Sequence, residues 1–281
     1  MSAPTVSVVM PIFNGLPYLA ESVDSVLAQS LPDVELVLVD GGSNDGSREW
    51  VESFRHPRVV KDYLPAGTPA GVTWTRASEL ATGEYVKLLC QDDLIYPHAL
   101  ELQVADLAGS PTAGMAIAQR DVISATGDIL YRGRGCAGLA NGLVDGVHAL
   151  EVGCWRGANI YGEPLAVLFR ADAMRPALPW IDDRPFLLDM FFYAKVLQRH
   201  DLVVRRESIG AFRISSASWS TRLMSRQRDE FHAWQRHVER DIAPQPWFRL
   251  AQSRLNTERT TLLRRGAYSW LRLQKRLDAD R

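Results

Sequence analysis

A chain of 281 residues is long enough to bury one large core or two modest ones. Its 46% hydrophobic and 23% charged content is that of an ordinary globular protein, and a formal net charge of −1 excludes a whole-molecule electrostatic case for nucleic acid. Three cysteines, Cys90, Cys136 and Cys154, stand at wide, unpatterned spacing, which argues against a disulfide framework or a zinc site and for reduced thiols at a cytoplasmic address.

The N-terminal "MSAPTVSVVMPIF" lacks the basic region of a signal peptide and reads as the approach to a strand. No run approaches the roughly 18 consecutive apolar residues of a membrane span. "VSVVMPIF" (6–13) is a β-branched apolar run ending at Asn14-Gly15, and "LPYLAESVDSVLAQS" follows with helical spacing of Leu19, Val23, Val26 and Leu27. "VELVLVD" (34–40), "RVVKDYL" (58–64) and "EYVKLLC" (84–90) continue the strands, with short helices in "REWVESF" and "GVTWTRASELATG" between them. Nearly unbroken apolar strands alternating with helices predict a parallel sheet covered on both faces.

The second half is less regular. Strands are expected in "GMAIAQRDVIS" (114–124), "DILYR", "EPLAVLFR" (163–170), "DLVVRR" and "SIGAFRI", with a helix in "PFLLDMFFYAKVLQRH" (185–200). "RGRGCAGLANG" (132–142) reads as a loop. From about Ser218 the pattern is helical, with a break at "APQPW" (243–247).

Ligands of an open parallel sheet gather beyond the carboxyl ends of its strands. Three ends carry unusual polar tips: Pro11-Ile12-Phe13-Asn14, Asp40-Gly41-Gly42-Ser43 and Gln91-Asp92-Asp93. Asp40 at a turn is read either as a nucleoside ligand or as an acceptor for its own loop amides. Asp45 is placed to cap the next helix. Adjacent carboxylates at the mouth of a buried strand, Asp92 and Asp93, are best explained by a hard divalent cation, Mn2+ or Mg2+, which offsets their repulsion and receives substrate phosphates. The alternative is that Asp93 caps the helix beginning near Pro97 while Asp92 meets the metal.

"PIFNG", "VDGGSNDGS", "ATGEYVKLLCQDD" and "PHALE", in this order, resemble an inverting glycosyltransferase of family 2 with the GT-A fold, over roughly residues 5–215. The resemblance implies an α/β architecture with a Rossmann-like, mostly parallel central sheet flanked by helices. It divides the chain into a nucleotide-binding half (1–110), an acceptor-binding half (111–215) and a C-terminal helical extension (216–281). It assigns Pro11, Ile12, Phe13, Asn14, Asp40, Gly42, Arg76, Gln91 and Asp92 to a nucleotide-sugar donor of UDP, dTDP or GDP type, and Asp92 and Asp93 to the metal. Two positions depart from the commonest family pattern: Gly41 and Cys90 stand where a further aspartate is frequent.

The same resemblance places the general base on Asp189, the only acid between Phe186 and Leu197, where apolar surroundings would raise its pKa. Asp182 and Asp183 are its rivals. Glu163 is assigned to the acceptor, a saccharide or lipid-linked hydroxyl, and Ser218, Trp219 and Arg222 to a segment closing over the diphosphate or to helix packing. The expected reaction is a single displacement that inverts the anomeric carbon, with Asp189 across the sugar from the metal, in the synthesis of a polysaccharide or other glycoconjugate. A sugar-nucleotide pyrophosphorylase is disfavoured, because the first tip has neither the glycines nor the cation to cradle a triphosphate. A non-catalytic binding protein is the remaining alternative.

"GRGCAG" (133–138) fits the spacing of a dinucleotide fingerprint but follows a hairpin, and is read as a mobile loop near the acceptor. The six histidines show no ligand spacing. The C-terminal stretch is basic with interleaved Leu, Trp and Tyr, which fits a solvated face on the core or peripheral contact with the inner face of a membrane. A homo-oligomer is left open.

Overall fold

The computed structural model describes residues 4–216, 218–274 and 276–277. The ends of the tail and of the N-terminal "MSA" therefore lie outside the described residues. In chain order the elements are β1 (Val6–Ile12), α1 (Leu19–Leu27), β2 (Val34–Asp40), α2 (Ser47–Ser53), β3 (Val59–Tyr63), α3 (Ala70–Glu79), β4 (Tyr85–Leu88), β5 (Leu94–Ile95) and α4 (Ala99–Ala108). They are followed by β6 (Ala113–Ile123), β7 (Ile129–Arg134), β8 (Gly142–Val144), α5 (Gly146–Arg156), β9 (Val167–Arg170), α6 (Ala171–Met174), α7 (Leu188–Leu197), β10 (Asp201–Arg213), α8 (Trp219–Arg222), α9 (Gln227–Asp241) and α10 (Trp247–Leu273).

The strands form one sheet in the order β3-β2-β1-β4-β9-β6-β10-β5, with β7 on β6 and β8 on β10. The first four strands are parallel, as their unbroken apolar runs require, and β6 and β10 are parallel to each other. β9 is antiparallel to both β4 and β6, and so joins the two parallel sets into one mixed sheet.

Alternation along β2 shows how both faces are filled. Leu36 and Leu38 point into a core shared with Val23 of α1, Val51 of α2 and Leu100 of α4. Val37 and Val39 point into the opposite core, with Ala77 of α3, Leu150 of α5 and Phe192 of α7. The second core extends into the C-terminal helices. Trp234 of α9 is fully buried, sets its ring edge-on to Tyr161, and donates Nε1–H to the Met190 carbonyl at 3.1 Å.

Three expectations need correction. "DLVVRR" and "SIGAFRI" are one strand, β10, because β6 pairs with it on both sides of register shifts near Ser208 that let exposed Arg206 and Glu207 bulge outward. "EPLAVLFR" is a strand only from Val167; Pro164–Ala166 is a 3-10 turn with Pro at its start. The 132–142 segment is pinned rather than mobile. Buried Cys136 donates its N–H to the Ile160 carbonyl at 2.8 Å, and Arg206 reaches the Leu139 carbonyl at 2.9 Å.

Candidate active site

The three polar tips form one hydrogen-bonded rim. The Gln91 side chain spans from the β4 end to the β1 end, accepting from Phe13 N–H at 3.2 Å and donating to the Phe13 carbonyl at 3.0 Å. Asp45 accepts from Leu16 N–H and from Ser47 N–H, both at 3.0 Å, so it ties the β1 tip to the start of α2. The Asn14 side-chain Oδ1 accepts from Asn44 N–H at 2.9 Å. Such cross-links hold the edge in a fixed shape before any ligand arrives.

Phe13 and Asn14 project from this edge and are exposed. Pro11 and Ile12 are corrected: their side chains are buried below the rim, and the Ile12 carbonyl is taken by Gly41 N–H at 2.8 Å. Asp40 follows the turn reading. Its fully buried carboxylate accepts from Gly42 N–H at 3.0 Å and Ser43 N–H at 3.3 Å, and pairs with Arg48 at 3.3 Å. Gly42 serves that turn through its backbone. Its φ is +89°, and a Cβ there would lie 2.7 Å from the Ala66 nitrogen. Arg76 is half-exposed on α3 and bonds Asp62 of β3 at 2.5 Å, on the β2–β3 side of the rim.

The acidic turn after β4 is fastened from two directions. Ser22 of α1 donates to the Gln91 and Asp93 carbonyls at 2.9 and 2.6 Å. Arg213, at the end of β10, donates its main-chain N–H to Asp93 Oδ1 and its Nε–H to the Asp92 carbonyl, both at 3.0 Å, while its far end pairs with Glu21 at 2.6 Å. Asp93 therefore does not cap α4, whose N-cap residue is His98 and carries no side-chain cap bond. Asp93 is fully buried and its Oδ2 has no partner; Asp92 is partly exposed. Burial raises both carboxyls, Asp92 to about 6, and Asp93 is pushed well up by burial and by the charge of Asp92.

Cys90 marks where the acids converge. Its thiol is pushed well up by burial and then by the negative charges of Asp93, Asp92, Asp189 and Glu163, which come from three different segments. Asp189 lies in the first turn of α7 and is 9% exposed. Its Oδ1 accepts from Met190 N–H at 2.7 Å and its Oδ2 from Asn159 Nδ2 at 3.2 Å. Burial drives its pKa up to about 7, Glu163 adds to this, and the Met190 and Asn159 bonds oppose it. The rivals lie elsewhere: Asp182 accepts from Gly71 N–H at the start of α3, and Asp183 pairs with Arg184.

Glu163 precedes the 3-10 turn and is paired with buried Arg120 of β6, so its charge is matched inside the site. Tyr193 of α7 is fully buried beside the same acids, and its hydroxyl has no partner. Sequence reasoning missed Asn159, Arg120, Arg213 and Tyr193. The available signal was a lone cation inside each of two apolar strands, "AIAQRDVI" and "IGAFRI". Among the described residues no three ligand-type side chains form a closed metal cage. A cavity of about 710 Å3 lies between α7 and α9, lined by Phe191, Phe192, Ala233 and His237, and includes Asp183 but none of Asp92, Asp93, Glu163 and Asp189.

Residues 7–146 match the model of glycosyl transferase family 2. The chain belongs to glycosyl transferase family 2. Curated relatives include a putative teichuronic acid biosynthesis glycosyltransferase, TuaG, of Bacillus subtilis, 37% identical over 103 residues. That match covers 36% of this chain and 41% of TuaG. An uncharacterised glycosyltransferase of Nostoc sp. is 34% identical over 111 residues, covering 37% of this chain and 34% of the relative. The chain thus spans less than half the length of these relatives. Among solved structures, S. aureus TarS 1–349 in complex with UDP-GlcNAc superposes with a TM-score of 0.65 at 17% identity, covering 90% of this chain and 71% of that one. The mannosyltransferase PcManGT from Pyrobaculum calidifontis, in complex with GDP-Man and Mn2+, gives 0.57 at 18% identity, covering 99% and 86%. These likenesses establish the GT-A fold of this family 2 chain.

Proposed function

We propose that this family 2 protein is a metal-dependent, inverting glycosyltransferase that moves a sugar from a nucleotide-sugar donor to an acceptor hydroxyl. The observation that carries it is Asp189, a buried carboxylate whose pKa stands at about 7 and whose charge meets those of Asp92, Asp93 and Glu163 around Cys90. A base poised near neutral pH is what proton removal from an attacking hydroxyl needs. The nucleoside is read onto the rim edge beside Phe13, Asn14 and Arg76, with Asp40 and Gly42 shaping the turn beneath it.

The acid pair fits a divalent cation: Asp92 is accessible, Asp93 Oδ2 is buried without a partner, and a set of one or two carboxylates leaves room for phosphate oxygens. Such a cation, when bound, would neutralise charge on the departing diphosphate. Arg213 keeps the Asp92–Asp93 turn in place, Asn159 aims Asp189, and the Arg120–Glu163 pair lines the acceptor side with the unpartnered Tyr193 hydroxyl near it. Both solved neighbours cited above hold nucleotide-sugars, and one holds Mn2+, which supports the donor class and the ion without choosing the base or sugar. The teichuronic acid biosynthesis role given to TuaG supports a polysaccharide or other glycoconjugate as the product.

The test is release of nucleoside diphosphate from a panel of UDP-, dTDP- and GDP-sugars, with and without Mn2+. Asp189→Asn is expected to lower turnover by about 100- to 10,000-fold while donor-induced thermal stabilisation persists. Asp92→Ala is expected to abolish the metal-dependent part of that stabilisation. Full turnover in Asp189→Asn, or no donor binding at all, would sink the reading.

A further inference from the structure

The longest helix of the molecule carries an unpartnered face. Along α10, Phe248, Leu255 and Leu262 stand seven residues apart and Leu273 eleven further on. At 3.6 residues per turn these four fall within about 20° of one line. They are exposed by 54%, 69%, 67% and 85%, and Trp270, 50% exposed, widens the stripe. The opposite side of the helix is fully engaged. Ser253 donates to the Cys154 carbonyl of α5 at 2.8 Å, Thr260 bonds the Gly157 carbonyl, and Tyr268 and Leu271 pack on Val122 and Ile214 at the ends of β6 and β10. The outward stripe is therefore a second apolar face, beyond the one the fold uses.

Charge decides what fits it. α10 contains six arginines and a single acid, Glu258, within a chain of net charge −1. Arg249, Arg254, Arg259, Arg265 and Arg272 are exposed around the stripe, and Arg264 alone turns inward, over the rings of Phe186 and Tyr268. A second copy of this helix would set two arginine-rich surfaces against each other. No helix among the described residues is long and apolar enough to cross a membrane, so a basic helix with a bare apolar stripe is built to lie on a surface.

We propose that α10 docks this protein on an anionic phospholipid bilayer, the Phe248–Leu273 stripe entering the acyl boundary and the flanking arginines meeting lipid phosphates. Docking is independent of sugar transfer, so failure of one reading leaves the other standing. In co-sedimentation of the full chain, binding is expected to vesicles of phosphatidylcholine with phosphatidylglycerol, and not to phosphatidylcholine alone, and to weaken as salt is raised. Leu255→Asp with Leu262→Asp should reduce partitioning by about tenfold or more. Arg259→Glu with Arg265→Glu should do the same with the apolar stripe intact. All four positions are exposed, so thermal unfolding of both variants should match the parent. Equal binding by parent and variants, no preference for the anionic vesicles, or a solution dimer that Leu262→Asp dissociates would each overturn the proposal.

Discussion

Asp189 holds its carboxylate against burial, and the balance at that one residue sets two measurable quantities. Its ordinary pKa of 3.8 is raised to about 7, with the Asn159 bond pulling the other way. The base must be ionised to act, so the rate should rise with pH through an acid limb near 7. Removing the opposing bond in Asn159→Ala should move that limb upward by about one unit, which a pH profile of kcat/KM reads directly. The same shift has a stability cost. A carboxyl raised on folding leaves the fold most stable below the unfolded pKa, and stability declines as pH rises from about 4 through about 7. Asp189→Asn should therefore leave stability at pH 4 little changed and raise it at pH 8, by at most ~4 kcal/mol at 1.36 kcal/mol per unit.

At the scale of elements, the C-terminal helices are built into the core rather than appended to it. Trp234 joins α9 to α7 through its Met190 bond and to Tyr161 by an edge-on ring contact, with no exposed surface. Trp234→Ala should destabilise the protein by about 3–5 kcal/mol in denaturant unfolding, since it opens a cavity and removes the Nε1–H bond to the Met190 carbonyl. α7 carries Asp189, so this substitution should also lower activity before it unfolds the chain. β10 shows a related economy: one bulged strand contributes Arg213 to the acidic turn at one end and pairs with β8 at the other.

At the scale of the whole molecule, α10 runs from α5 to the ends of β6 and β10 and closes a third small core of Val122, Ile214, Tyr268 and Leu271. A chain ending at Pro246 would bare that core and leave the buried Gln235 amide without its Ser253 and Thr257 partners. We expect it to lose several degrees or more in thermal midpoint, with the loss of the Arg264 charge that acts on Glu163 and Asp189 altering the acidic cluster. A truncated chain with unaltered unfolding would show α10 to be energetically detached.

The sequence by itself determined the parallel strands of the first hundred residues. A run such as "VELVLVD" is apolar on both faces, and it is stable only between two helical layers. Its polar tip must then lie on the rim, so Asp40, Gln91 and Asp92 are legible as rim residues from the sequence. Asp189 was singled out by the family resemblance, since a lone acid in the first turn of an apolar helix reads equally as a helix-start carboxylate. Tertiary structure alone decided what each rim residue is free to do. Asp40 is spent on its own turn, Asp93 on the backbone of Arg213, and Pro11 and Ile12 on the core. It also decided that Arg120, Asn159 and Arg213 reach the acids, and that α10 turns one apolar face inward and one out. Asp40 apart, whose turn partners are local, the polar contacts depend on partners 30 to 121 positions away in the chain, and local pattern carries no record of which distant group meets a side chain.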